Sequence, residues 1–325
     1  MPDSWDDTKV NAVESADKVV VPVPKGYTAS SVSTENKVSE GFVIYENTNG
    51  EDKKEEVNDS NKDIARTTRN QFVWVPVANP SDMYGTDKDG KKWGKLYKFD
   101  ENGITANNWT EKDGVISITD VESYREPDVI DYDFLNSVTI AQLETEFNSM
   151  IASVERYGGF YIGRYETGNL SQEKLCVVKN NSDINNQAWY TIYNKAKGMA
   201  ANNNVMTTMI WGNQWDATMR WMYNSGNEEK KKYTYDSTSK GNYYGTNEDK
   251  AIATGTNDAY EINNIYDMAG NIYEWTMEKL RYFRVIRGGG YAYSSSKYPA
   301  AYLGDGLSPE ASDDYRGFRL TLHIK

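Results

Sequence analysis

The sequence predicts a mixed α and β fold with few long elements, and three observations carry that expectation. One segment, Thr139 to Arg156, repeats apolar residues at helical spacing along a single face. Several short apolar runs have the length of buried strands rather than of helices. Finally, Ser225 to Asp314 is dominated by Gly, Ser, Asn and Tyr and has few periodic segments. Long loops of that composition in a compact protein are usually functional.

Taken in order, residues 1–17 are polar and charged and read as a linker, leaving residues 18–325 as a single domain. VVVPVPKGY (Val19 to Tyr27) and GFVIYE (Gly41 to Glu46) read as short strands, the prolines placing the first at a sheet edge. Residues 47–68 have the composition of a solvated loop. NQFVWVPV (Asn70 to Val77) is a continuous apolar run suited to a buried strand, and residues 79–133 read as a loop-rich insertion. In the clear helix, Ile140, Leu143, Phe147, Met150, Ile151 and Val154 share a face. Thr139 with Gln142 resembles a capping box, and Gly158-Gly159 stops the helix. GFYIGRYETG (Gly159 to Gly168) reads as a strand. Further helices are expected near Gln187 to Ala200 and near Trp211 to Tyr223, the latter with Trp215, Met219 and Met222 on one face.

Composition excludes several function classes. With a net charge of −12, and basic runs that neutralise themselves (KKEE, EEKKK), the chain repels a phosphate backbone, so no nucleic-acid partner is expected. The single cysteine, Cys176, rules out an internal disulfide and any multi-cysteine metal site. No apolar stretch is long enough to span a membrane. The first ten residues lack the basic and apolar regions of a signal peptide. The 25 Tyr and 9 Trp exceed what a core alone usually requires, which places some tyrosines on a binding surface.

Six separated pieces occur in a recognisable order: QFVWVPV, GFYIGRYETG, MIWGNQWDA (Met209 to Ala217), NIYDMAGNIYEWT (Asn264 to Thr276), RVIRGGGY (Arg284 to Tyr291) and RGFRL (Arg316 to Leu320). In sequence and order they resemble the landmarks of the formylglycine-generating enzyme family. The likeness covers roughly residues 70–320. It implies an α+β domain of the irregular, loop-rich C-type lectin-like kind, with a few helices around small antiparallel sheets.

The pieces also have a physical reading of their own. Gly288 to Gly290 permit positive φ or close backbone approach. Arg287 and Arg319 can each fork hydrogen bonds to carboxylates or carbonyls and so tie irregular loops together. Trp275 reads as a core anchor. Asp267 and Glu274 are hard oxygen ligands, and Gly270 and Ile272 offer carbonyls between them, a half-shell suited to Ca²⁺. The corresponding loop binds calcium in formylglycine-generating enzymes, although Asp267 stands where those enzymes tend to have Asn. The alternative is that both carboxylates accept hydrogen bonds from the loop.

The resemblance also implies a chemistry for which this chain lacks the parts. Enzymatic members hold copper with two cysteines near the C-terminus, and residues 280–325 contain none. Cys176 reads as a small buried apolar residue. The lone His323 cannot supply an iron-ligand set or a catalytic triad, and reads as the end of a strand. No redox metal and no catalytic residue are therefore expected, with a degenerate formylglycine-generating enzyme as the alternative.

What stands between the last two motifs is YAYSSSKYPAAYLGDGLSPEASDDY (Tyr291 to Tyr315), written in the alphabet of a binding surface. It resembles the variable region of proteins diversified by diversity-generating retroelements. Those systems mutate template adenines, so that Asn codons become Tyr, Ser, Asp, Gly, Ala, Leu or Phe. Tyr291, Tyr293, Ser296, Leu303, Asp305, Asp313, Asp314 and Tyr315 fit such an origin, and Lys297 and Glu310 fit a Lys codon. With Tyr282, Phe283, Ser294, Tyr302, Leu307, Ser308 and Ser312 they make up the expected ligand-binding set within residues 280–315, Tyr298 to Ala300 forming a fixed frame. The resemblance implies non-catalytic recognition of a ligand, a protein, by a chain displayed on a phage particle or bacterial surface.

Overall fold

A computed structural model describes residues 2–48, 52–106, 110–112, 115–117, 126–129, 138–171, 174–182, 184–200, 202–304 and 306–325. Its principal strands begin with the hairpin of β1 (Val10–Glu14) and β2 (Val20–Pro24). Then come β3 (Tyr27–Ala29), β4 (Val43–Glu46), β5 (Gln71–Pro76), β6 (Gly159–Gly163) and β7 (Val205–Met209). The C-terminal part adds β8 (Tyr273–Leu280), β9 (Phe283–Arg287), β10 (Arg316–Phe318) and β11 (Leu320–Ile324). Five helices accompany them among the described residues: α1 (Lys62–Thr68), α2 (Ile140–Tyr157), α3 (Trp189–Lys197), α4 (Gly212–Tyr223) and α5 (Glu228–Tyr235).

The central sheet is antiparallel throughout, in the order β7-β11-β6-β5-β4-β3. Its middle strands are the continuous apolar runs, because a strand covered on both faces has no polar side to show. Trp74 on β5 lies opposite Tyr161 on β6, their rings 4.9 Å apart. Gly159 opens β6 where a Cβ would come within 2.3 Å of the Val75 carbonyl, so only glycine fits that crossing. Helix α2 starts where expected: Thr139 accepts a hydrogen bond from the Gln142 amide at 3.2 Å, and Gly158 ends it in the left-handed conformation at φ 81°. Its apolar stripe, Leu143 to Val154, is buried in one core that extends from Val10 to Ile324.

A second sheet of three strands carries the C-terminal motifs. β8 pairs antiparallel with β9 and parallel with β10, placing Glu274 beside Arg287 and Gly317, and Trp275 beside Ile286 and Phe318. The architecture is thus α+β with helices around small, mainly antiparallel sheets.

Two sequence expectations need correction, and two others gain detail. Residues 1–17 are not simply a linker: β1 pairs with β2, Val10 is buried, and Trp5 packs against Tyr157. The hairpin rescues a polar segment by burying one side of it, which composition alone does not register. Within residues 47–68, α1 forms, with Ala65 buried and Arg66 paired to buried Glu35. The described part of the 79–133 insertion contains short strands, including the hairpin Tyr97–Asp100 with Gly103–Ala106. The stretch after Ser225 holds α5, whose start is capped by Asn227, and the eight-residue β8. No helix among the described residues is long and apolar enough to cross a membrane.

Candidate functional site

The tail between β9 and β10 is anchored at its start by Arg287, the last residue of β9 and fully buried. Its guanidinium donates to Glu278 at 2.6 Å and to Asp216 at 3.0 Å. The second oxygen of Asp216 accepts the Tyr97 amide at 2.7 Å. Nearby, Glu126 accepts the amides of Gly212 and Asn213, the opening turn of α4, at 2.7 and 2.5 Å. Two buried carboxylates thus share one guanidinium, and a third, Glu126, lies close enough to feel its charge. Burial, with Glu278 adding repulsion, raises Glu126 well above the ordinary carboxylate range. Burial also pushes Asp216 up to about 7, against the pull of Arg287.

After Arg287 the chain turns through Gly288 and Gly289, at φ 85° and 78°. A side chain at Gly289 would meet the Tyr298 carbonyl at 2.3 Å, so the turn needs glycine twice over. From there the tail is held by its main chain. Trp215 Nε1 donates to the Ala300 carbonyl at 2.9 Å, Tyr243 donates to the Tyr298 carbonyl at 2.7 Å, and Ser237 Oγ accepts the Ala300 amide at 2.8 Å. Arg284 and Leu307 exchange both main-chain hydrogen bonds at 2.9 Å. The carbonyls of Pro309, Asp313 and Tyr315 accept the amides of Trp189, Asn186 and Tyr273. Main-chain anchors of this kind are indifferent to the side chain that the anchored residue carries.

Every described member of the expected ligand-binding set is exposed or half-buried. Tyr282, Phe283, Tyr293, Ser294, Ser296 and Lys297 are exposed, as are Glu310, Ser312, Asp314 and Tyr315. Tyr291, Tyr302, Leu303, Leu307, Ser308 and Asp313 are half-buried. Asp305 lies outside the described residues.

Two aromatic groups organise this surface. Tyr298 meets both Tyr293 and Tyr302 edge to face, and all three rest on buried Tyr273, with centroids 4.7–6.5 Å apart. Tyr291 and Tyr315 stack at 5.4 Å. Other members sit apart from these rings. Phe283 lies against Gly306 at the far end of the β8–β9 hairpin, and Asp313 borders Asn186 and pairs with Arg316 at 2.5 Å.

Sequence reasoning missed Tyr244, which is 70% exposed and gives its amide to the Tyr293 carbonyl at 3.0 Å. The only signal was its place in the Tyr-rich stretch, which does not say that residues 244 and 293 are neighbours. Tyr298, expected in the fixed frame, supplies a ring to the surface as well.

The two acidic calcium candidates have partners within the protein, and Gly270 and Ile272 between them are tied to the fold through their amides. Both oxygens of Glu274 face Arg319, the closest contact being 2.6 Å. Asp267 accepts the Thr254 hydroxyl at 2.9 Å and the Gly255 amide at 2.8 Å with one oxygen, while its other oxygen is buried without a partner. The Gly270 amide donates to the Gly288 carbonyl at 2.7 Å, and the Ile272 amide donates to Glu166. Arg319 neutralises Glu274, and its charge opposes a divalent ion at that carboxylate. Among the described residues no cluster of three or more His, Cys, Asp or Glu is arranged to hold a metal ion. Melting curves with calcium and with chelator should therefore coincide. A rise of several degrees with calcium that Glu274→Ala abolishes would instead establish the site, by mass action on the native state. Cys176 and His323 are both buried, on the strand Lys174–Cys176 and on β11. Burial lowers the His323 imidazole to about 4.

Residues 195–324 match the family model described as the Sulfatase-modifying factor enzyme 1-like domain, in agreement with the resemblance carried by the C-terminal motifs. Similar solved structures include PvdO from Pseudomonas aeruginosa, 16% identical with a TM-score of 0.37, covering 52% of this chain and 82% of that one. Treponema denticola variable protein 1 is 16% identical with a TM-score of 0.35, covering 52% of this chain and 85% of that one. The Major Tropism Determinant M1 variant is 15% identical with a TM-score of 0.37 and covers 52% of each chain. No curated protein matches the chain.

Proposed function

We propose that this chain is a non-catalytic recognition protein whose fixed scaffold displays a diversified C-terminal surface to a protein ligand, on a phage particle or a bacterial surface. The observation that carries this reading is the division of labour in the tail. Its main chain is held by buried scaffold groups, while most of its side chains, rich in Tyr, Ser and Asp, are exposed or half-buried. Tyrosine supplies rigid contact area at low entropic cost, and serine and aspartate supply adaptable hydrogen bonding. A surface built this way changes specificity without changing fold.

The experiment replaces Tyr293, Leu303, Asp313 and Tyr315 together by Ser or Ala. Substitutions at exposed positions such as Tyr293 and Tyr315 usually change stability by less than about 0.5 kcal/mol each, and half-buried Leu303 and Asp313, the latter paired with Arg316, add a modest further cost. The quadruple variant should therefore keep its circular dichroism spectrum and most of its melting temperature, yet lose the partners that the parent captures from cell or virion lysates. Unfolding of the variant would place these residues in the core and sink the reading.

A second reading, a sulfatase-modifying enzyme or degenerate relative, is favoured by the domain match over residues 195–324. It predicts turnover of a cysteine-bearing sulfatase peptide by copper-loaded protein, and turnover that survives Cys176→Ser would replace the recognition reading.

A further inference from the structure

An open cleft of 450 Å³ separates the fixed strand Tyr97–Asp100 from the tail segment Ser296 to Leu303. Phe99, Pro299, Tyr302 and Leu303 give it apolar lining. Lys98 comes from the fixed strand and Lys297 from the tail, and both are exposed. Neither ammonium has an ion-pair or hydrogen-bond partner among the described residues. In a chain with a net charge of −12, two exposed cations without partners among the described residues at one apolar cleft favour an anionic contact there. An isolated carboxylate would gain little there, because exposed ammonium groups are well hydrated. A carboxylate beside an apolar side chain gains from both features, since the apolar group covers the lining while the acid meets the lysines.

Resting on the recognition reading above, we propose that this cleft receives an acidic side chain and its apolar neighbour from a loop of the protein ligand. Lys98 lies outside the tail. The cleft therefore gives every diversified tail a constant preference for acidic partners, while Ser296, Lys297 and Leu303 adjust the fit.

The test uses the full chain with labelled methyl groups and two probes, acetyl-Gly-Glu-Phe-Gly-amide and its Gln counterpart, followed by NMR. The Glu peptide should shift the Leu303 and Ala301 methyls saturably. The Gln peptide should bind about fivefold more weakly, the scale of one exposed charge pair. Lys98→Ala should weaken the Glu peptide by a similar factor without changing the melting temperature, and raising the salt concentration should erase the difference between peptides. Equal binding of the two peptides, or no effect of Lys98→Ala, overturns the assignment. If that happens while the quadruple tail variant still loses its captured partners, only the cleft falls. If the tail variant keeps its partners, the recognition reading falls independently of the peptide result.

Discussion

Replacing Arg287 with methionine should destabilise the protein by about 3–5 kcal/mol, the usual cost of removing one partner from a buried ion pair. The residue is fully buried, and its guanidinium is the counter-ion for Asp216 and Glu278 with Glu126 close by. Methionine of similar length keeps much of the packing, so the loss reports charge rather than volume. The sign of the pH effect follows from the raised carboxylates. A carboxyl that stays protonated to about pH 7 in the folded state, but ionises near 4 in the unfolded chain, favours folding most at low pH. Its contribution falls away as pH rises from about 4 to about 7. Removing Arg287 raises these groups further, so urea titrations should show a larger loss at pH 8 than at pH 5. Adding Glu278→Gln should recover part of it. A loss below about 1 kcal/mol, or equal losses at both pH values, would mean that the cluster is not held as described.

Cutting Trp275 to alanine should cost about 3–5 kcal/mol, as for other buried aromatics. The side chain is fully buried on β8 between Ile286 of β9 and Phe318 of β10, with the Arg316 guanidinium 5.5 Å from its ring. It joins the three strands that frame the tail. The indole nitrogen is buried without a hydrogen-bond partner, so Trp275→Phe loses no hydrogen bond, keeps an aromatic face and should cost clearly less than Trp275→Ala. Denaturant midpoints of the two variants decide the matter. Near-equal costs would point to a polar role for the indole instead.

Where the sequence was read correctly, the signal was local and periodic. Helix α2 was legible to within a residue at each end because its stripe, its Thr139 cap and its Gly158 stop all agree. β5 was legible because a two-sided burial leaves an unbroken apolar run. The anchoring roles of Arg287, Arg319 and Trp275 were also foreseen, since large buried cations and aromatics between glycines have few other uses. α1 and α5 were not, because each is polar along most of its length, nor was β1, five residues inside a polar segment; each is stabilised by what it packs against. Within the candidate site, composition marked the tail, but not Tyr244 or Lys98, which reach the same surface from sequence positions far away.

The sequence by itself determined the α+β class, the principal core segments and the existence of a tail whose side chains differ in kind from its flanks. These follow from periodicity, glycine placement and residue chemistry, which act over a few neighbouring positions. Only the tertiary structure decided that Glu274 faces Arg319, that Asp216 and Glu278 share Arg287, and that a fixed hairpin and the tail line one open cleft. A carboxylate's partner is set by distances of a few ångströms between residues dozens of positions apart, and such distances exist only once the core has closed.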